Sequence, residues 1–387
     1  MRLLPFDYAV RNLGRSPRRT ASMMAGTALV ALIVLAAGGF VRGMRSSLTT
    51  SGRADNVILL GAGSEESAER SEIPVHAAGQ AMASIGGLRR TGGVSHVSPE
   101  IQMAMLVSLS EGSADLPAVL RGITPAAFLV HDQVQIVDGR APQAGRDEII
   151  VGRLAATRLG VAAEELALGR TLWFGNRSWS IVGRFSAGGT VMDAEIWCPS
   201  TDLQIAARRD SLSCVVLTLD EAEFADVDTF CRRRLDLELV AIRERDYYAK
   251  LNAFYGPIRS MVWVTAGLIA LGGLFGGLNT LYAAFAARVR ELGMLQTLGF
   301  SRRAIVVSLV QEATVTTAVG SLVAAAVGAW CLDGLSVRFS MGAFGLRVDA
   351  AVMAMGLLAG LLLGVIGALP PAWRCLRLPI PDALRTA

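Results

Sequence analysis

The side chains that can do chemistry are few and scattered. Three histidines, His76, His96 and His131, show no metal-ligand spacing, and neither His-Glu-x-x-His nor Gly-x-Ser-x-Gly occurs. A zinc site would need those histidines to converge in space with carboxylates or cysteines, and surface or satisfied core positions are the simpler reading. The single lysine, Lys250, stands between Ala249 and Leu251. A phosphate-binding P-loop needs Gly-Lys-Ser/Thr, because its lysine neutralises the terminal phosphates, so this chain supplies no P-loop ATPase. Of five cysteines, Cys198, Cys214 and Cys231 lie in the large polar region and Cys331 and Cys375 in apolar stretches. Three is an odd number with no short pairing motif; it leaves room for one disulfide but indicates no framework. No catalytic residue, metal ligand or cofactor site is assigned.

One acidic residue, Glu312, sits inside a long apolar run beside Gln311, Thr314, Thr316 and Thr317. A carboxylate at membrane depth is a functional candidate by default. Yet it lies eight residues from Ala304, about 12 Å at helical rise, which brings it near one headgroup zone. Helix packing or interfacial anchoring is the favoured role over a proton relay, which would need several partnered charges at mid-membrane.

The elements that carry these residues are apolar. The chain has 387 residues and is 52% hydrophobic, with a mean hydropathy of +0.45. Ala21–Val41, Met261–Ala287, Ala304–Leu332 and Ala350–Ala372 each exceed the ~20 residues a bilayer span needs. A cleaved signal peptide is the rival reading of the first run, but a signal's apolar core is only ~7–15 residues long. Before it, Phe6, Ala9, Val10 and Leu13 share one face of an amphipathic, interfacial helix. Between the first two runs the composition becomes that of a globular domain. Short strand-like runs (Asn56–Leu60, Glu148–Val151, Ser178–Val182, Ser213–Leu219) alternate with helical patterns, which predicts an α+β domain. The expected fold is thus membrane α-helical, with four transmembrane helices and a large α+β extracytoplasmic domain inserted between helices 1 and 2. Its segments are 1–20 (cytoplasmic, amphipathic), 21–42 (span), 43–257 (domain), 258–287 (span), 288–303 (cytoplasmic helix), 304–332 (span), 333–349 (extracytoplasmic loop), 350–373 (span) and 374–387 (cytoplasmic tail).

Orientation follows from arginine. Segments 1–20, 288–303 and 374–387 hold five, four and three arginines, whereas 333–349 holds only Arg338 and Arg347. With four spans the richer segments share one side, which the positive-inside rule makes the cytoplasm. Arginines beside apolar runs suit anionic lipid headgroups rather than nucleic acid. Glycines recur at helical spacing within two spans: Gly272, Gly273, Gly276 and Gly277, then Gly356, Gly360 and Gly364. Such stripes let helices approach closely in lipid, although glycine is common in membrane helices anyway. In Arg288–Arg303, the residues Glu291, Met294, Leu295 and Leu298 fall on one helical face. Gly299 is placed to stop that helix and Ser301 to cap the next. A solvated loop that only fixes topology is the alternative.

Several of these residues resemble a known family, the FtsX/MacB-type ABC transporter permeases, which include lipoprotein-releasing permeases. Arg290-Glu291-Leu292-Gly293-Met294-Leu295 with Leu298-Gly299-Phe300-Ser301-Arg302-Arg303 resembles the family signature between its second and third spans. Ala9-Val10-Arg11-Asn12-Leu13 with Arg18-Arg19-Thr20 is similar to its start, and Asp382-Ala383-Leu384-Arg385 to its end, with Ile380-Pro381 in reversed order. Glu312 matches a glutamate early in the family's third span. The resemblance implies residence in the cell inner membrane with both termini cytoplasmic, and a homodimer or a pair with a related permease. It also implies two copies of a separate ABC ATPase subunit that bind the ATP. Glu291, Met294, Leu295 and Leu298 would contact that ATPase while Arg302 and Arg303 hold the helix at the membrane surface. The expected function is to couple ATP hydrolysis to movement of the external domain, for export or extraction of a hydrophobic or envelope substrate, with a periplasmic adaptor left open. A non-transporting regulator of an extracytoplasmic cell-wall hydrolase is the alternative, and a membrane-anchored sensor without an ATPase is a third.

Overall fold

Runs without charge have no reason to stay in water, and here they are continuous helix. The computed structural model describes residues 6–339, 342–377 and 379; the Ile380–Pro381 pair, the Asp382–Arg385 ending and the side chain of Val10 lie outside what it describes. Helix α1 is Phe6–Leu13 and α2 is Pro17–Ser51. After the large domain come α3 (Gly256–Ala286), α4 (Val289–Thr297), α5 (Arg302–Cys331) and α6 (Ala350–Cys375). Four of these, α2, α3, α5 and α6, are long and apolar enough to cross a membrane. The chain divides into two units, Met1–Arg42 with Pro257–Leu335 and Leu346–Ala387, and Gly43–Gly256 with Ser336–Gly345.

In the helical unit, α2, α5 and α6 pack through small residues. A side chain on Gly320 would meet the Met24 backbone, one on Gly356 the Leu35 side chain, and one on Gly360 Ser321. At Gly364 it would meet Thr317. Dispersion between helices needs this close approach, since lipid offers no hydrophobic drive. Helix α3 stands apart: only 6% of its most apolar stretch is buried, against 39% for α2 and for α5. Gly273 lies against Val30, whereas Gly272, Gly276 and Gly277, expected at a helix contact, face open space among the described residues. In α1, Ala9 and Asn12 are buried and Phe6 is exposed.

The second unit is built on one ten-stranded sheet. In chain order its strands are β1 (Asn56–Gly61), β2 (Val97–Val107), β3 (Leu116–Ile123), β4 (Gln135–Gly139) and β5 (Glu148–Gly152). They continue with β6 (Thr171–Phe174), β7 (Arg177–Ser186), β8 (Ile196–Pro199), β9 (Cys214–Thr218) and β10 (Leu239–Arg243). The spatial order is β10-β1-β9-β2-β3-β8-β5-β7-β4, with β6 paired to the other half of β7. Only β3 with β8 and β5 with β7 run parallel. Strand β7 alternates, turning Trp179, Ile181 and Phe185 inward and Ser178 and Ser180 out, the signature of a strand with one wet face. Strand β5, Glu-Ile-Ile-Val-Gly, is buried at every position, as a strand covered on both faces must be. Trp179 stacks on Phe174 at 4.4 Å inside the main apolar core.

The segment read as a plain loop between α5 and α6 has structure of its own. Strands β11 (Ser336–Phe339) and β12 (Gly342–Gly345) pair antiparallel and pack on helix Ala155–Leu159 and the turn Val191–Ala194 of the second unit. Ala343 is buried there with Leu154 and Ala194. The fold is therefore four long apolar helices with a large α+β domain inserted between the first and second.

Candidate functional site

The short helix α4 is set between two turns. Arg288 occupies the first turn, and Gly299 adopts φ +90° in the second, a left-handed backbone that favours glycine. The next helix is capped by Ser301, whose Oγ accepts from the Ala304 amide at 3.3 Å. One side of α4 is apolar and inward, with Val289, Leu292 and Gly293 buried. Leu292 belongs to a cluster with Leu281, Phe285, Ile305 and Leu309. Arg290, Glu291, Met294, Thr297 and Leu298 are exposed, Met294 by 46% and Leu298 by 74%.

Leu295 departs from the face that the sequence pattern gives it. It is half-buried and packs against the same cluster as Leu292. The reason is angular: Leu295 lies three residues beyond Leu292, on the inner edge of the stripe, while Met294 and Leu298 share the outer one. Arg302 and Arg303 are exposed at the start of α5, and Arg302 Nε donates to Gln296 Oε1 at 3.4 Å.

Glu312 is 5% exposed and receives groups from three other places in the chain. Arg288 donates from one nitrogen to both carboxylate oxygens, at 3.2 and 2.9 Å. Arg19 donates to Oε1 at 3.3 Å and Asn12 Nδ2 to Oε2 at 3.4 Å. Glu291, on α4, accepts from Arg288 Nε at 3.1 Å and from Arg15 at 3.4 Å. Burial works against charge on Arg288, but the Glu312 carboxylate and its hydrogen bonds outweigh it and hold the guanidinium above its ordinary value. Sequence reading missed Arg288, Arg19, Arg15 and Asn12 as partners. The available signal was a lone membrane-depth carboxylate flanked by arginine-rich segments, though sequence cannot say which arginine reaches it.

A second buried polar cluster lies in the α+β domain. Arg121 on β3 donates to both oxygens of Glu195, at 2.6 and 2.7 Å, and to Glu100 on β2 at 2.5 Å. His131 Nε2 and Glu100 Oε1 are 2.8 Å apart, and Trp197 Nε1 donates to Glu195 at 2.8 Å. Burial raises the Glu100 carboxyl, yet His131 and Arg121 pull it down to about 2. Burial disfavours the His131 imidazolium, Glu100 favours it, and the net shift is upward. With every member almost out of water, this set ties strands together and offers no access for a substrate. His96 is buried against Thr91 at 2.8 Å and His76 is exposed. Cys198, Cys214 and Cys231 are free and buried; burial raises all three thiols, that of Cys231 to about 11.

Comparison with known proteins gives the family. Residues 20–228 match the model of the MacB-like periplasmic core domain, more than half of the chain, and residues 263–380 match the FtsX-like permease C-terminal model. The chain belongs to the MacB/FtsX family of ABC transporter permeases. It is 23% identical over 322 residues to the ABC transporter permease YknZ of Bacillus subtilis (strain 168), covering 78% of each chain. The periplasmic region of MacB from Actinobacillus actinomycetemcomitans is similar with a TM-score of 0.41 at 12% identity, covering 52% of this chain and 94% of that one. The extracellular domain of YknZ from Gram-positive bacteria gives 0.37 at 15%, covering 48% and 97%. A permease of the MacB/FtsX family is a membrane component of an ABC transporter rather than a classical enzyme, and it implies an ATPase partner.

Proposed function

We propose that α4 is the coupling helix of this permease and that its exposed face docks on a separate ABC ATPase. Two copies of that ATPase serve a permease dimer, and their ATP-driven closure moves the α+β domain to export or extract a hydrophobic or envelope substrate. The arginine-rich ends 1–20, 288–303 and 374–387 lie in the cytoplasm on this reading, and the domain lies outside it. The observation that carries it is the outer face of α4. Met294 stands exposed on α4 and Leu298 at its C-terminal cap, beside Arg290 and Glu291, an apolar pair with a charged rim that a docked protein would cover.

The test is co-purification of a co-expressed ABC ATPase with the tagged chain. Met294→Asp/Leu298→Asp is expected to lose the ATPase, since burying such anchors contributes about 2 kcal/mol or more, roughly thirtyfold in affinity. Leu295→Asp is the wrong probe, because it would place a charge in the packed cluster. Retention of the ATPase at wild-type stoichiometry by the double variant would sink the assignment.

A further inference from the structure

Glu312 is a poor packing residue. An apolar residue of similar size would be buried there without the desolvation a carboxylate costs. What the carboxylate adds is direction, because its partners come from separate segments. Asn12 is on α1, Arg19 is in the first turn of α2, and Arg288 precedes α4, while Glu312 itself is on α5. Glu291 adds a parallel link, joining α4 to Arg15 and to Arg288. Helix α4 is thereby tied on two sides to residues 12–19, and α2 continues from there without a break to Ser51, within the domain unit.

We propose that Glu312 is a positioning residue: with Arg288 and Arg19 it fastens α4 to the start of α2, so that a push on the coupling helix reaches the domain through α2. This rests on α4 being the docking helix. A buried ion pair is weak as a source of stability and better suited to fixing one geometry. The second link, Arg15 to Glu291, is exposed and adds little, so the buried Glu312 set carries the restraint.

The experiment uses the full chain in lipid nanodiscs, spin-labelled at Ser22→Cys on α2 and Thr297→Cys on α4, with Cys331 and Cys375 replaced by serine. The unsubstituted latch is expected to give one narrow distance distribution on the chain alone; because Thr297 stands on the exposed face of α4, ATPase binding and turnover are read on the unlabelled chain. Glu312→Gln keeps the shape and removes the charge; it is expected to broaden the distribution and to retain the ATPase. Its stimulation of ATP turnover is expected to fall on the order of fivefold or more. Arg19→Gln, which leaves Arg288 in place, is expected to broaden the distribution as well and serves if Glu312→Gln fails to accumulate. A narrow distribution in these variants overturns the proposal, as does loss of the ATPase itself from Glu312→Gln, which would put Glu312 in docking instead. If the Met294/Leu298 variant keeps its ATPase, the docking reading fails, yet the label distances on the chain alone still judge the latch.

Discussion

Glu100 and Glu312 are both almost out of water, and each faces an arginine carried by a different element. In the α+β domain the consequence is a pH dependence whose sign can be worked out. The folded His131 lies above its ordinary 6.5. The stability it contributes is therefore whole below about pH 6.5 and is lost as pH rises through the folded value. Glu244, raised by burial despite His131 nearby, pushes in the same direction. Glu100 acts oppositely: its contribution is whole above the ordinary 4.5 and is lost as pH falls toward about 2. The thermal midpoint of the full chain should thus fall as pH rises above about 6.5, and His131→Gln should flatten that fall. An unchanged slope in the variant would show that His131 is not the group responsible. Neither cluster was legible in the sequence. Glu100 and His131 are 31 positions apart and Asn12 and Glu312 are 300 apart, and composition gives no hint which of many arginines meets a given carboxylate.

Helix existence was legible, because lack of charge over more than 20 residues is a local property. Which side of a helix meets a neighbour was not. The two glycine stripes look alike in sequence, yet Gly360 and Gly364 touch α5 while Gly272 and Gly276 touch nothing described. Leu295 is the same failure on a smaller scale: spacing gives a stripe, and only tertiary packing decides which edge turns inward. The contacts rank the substitutions. An added methyl at Gly320 would come within 2.6 Å of the Met24 carbonyl oxygen, which is backbone and cannot rotate away. At Gly356 it would come within 2.7 Å of Leu35 Cδ2 and 2.8 Å of Leu35 Cγ, and Leu35 is fully buried among Ala31, Ala324 and Val352. Helix propensity favours alanine over glycine by up to about 1 kcal/mol at any of these sites. Overpacking costs about 1–3 kcal/mol when neighbours cannot yield. Gly320→Ala and Gly356→Ala should therefore destabilise the bundle, whereas Gly276→Ala should be neutral or stabilising. Unfolding of the full chain in mixed micelles reads this order, and equal effects at Gly320 and Gly276 would contradict the packing described.

At the scale of the whole molecule, the chain passes between its two units at residues 42–43, 256–257, 335–336 and 345–346. The first two passages follow from the change in composition along the sequence. The last two do not, because four-residue strands around a turn carry too little hydrophobic pattern to be told from a connector. The hairpin β11–β12 is nonetheless anchored: Ala343 is 3% exposed, beside Leu154 and Ala194. Arg338 stands opposite Ala343 in the pair and would meet a carboxylate, whereas a bulky apolar side chain would find no room, and overpacking costs about 1–3 kcal/mol. Ala343→Phe should therefore release the hairpin while the sheet stays folded. Hydrogen exchange on the full chain should quicken at Ser336–Phe339 by tenfold or more, about 1.4 kcal/mol of local stability, with β1 and β9 unchanged. Acceleration across the whole sheet would make the hairpin part of the domain's cooperative core. No acceleration at all would mean that the segment returning from α5 is not held by Ala343.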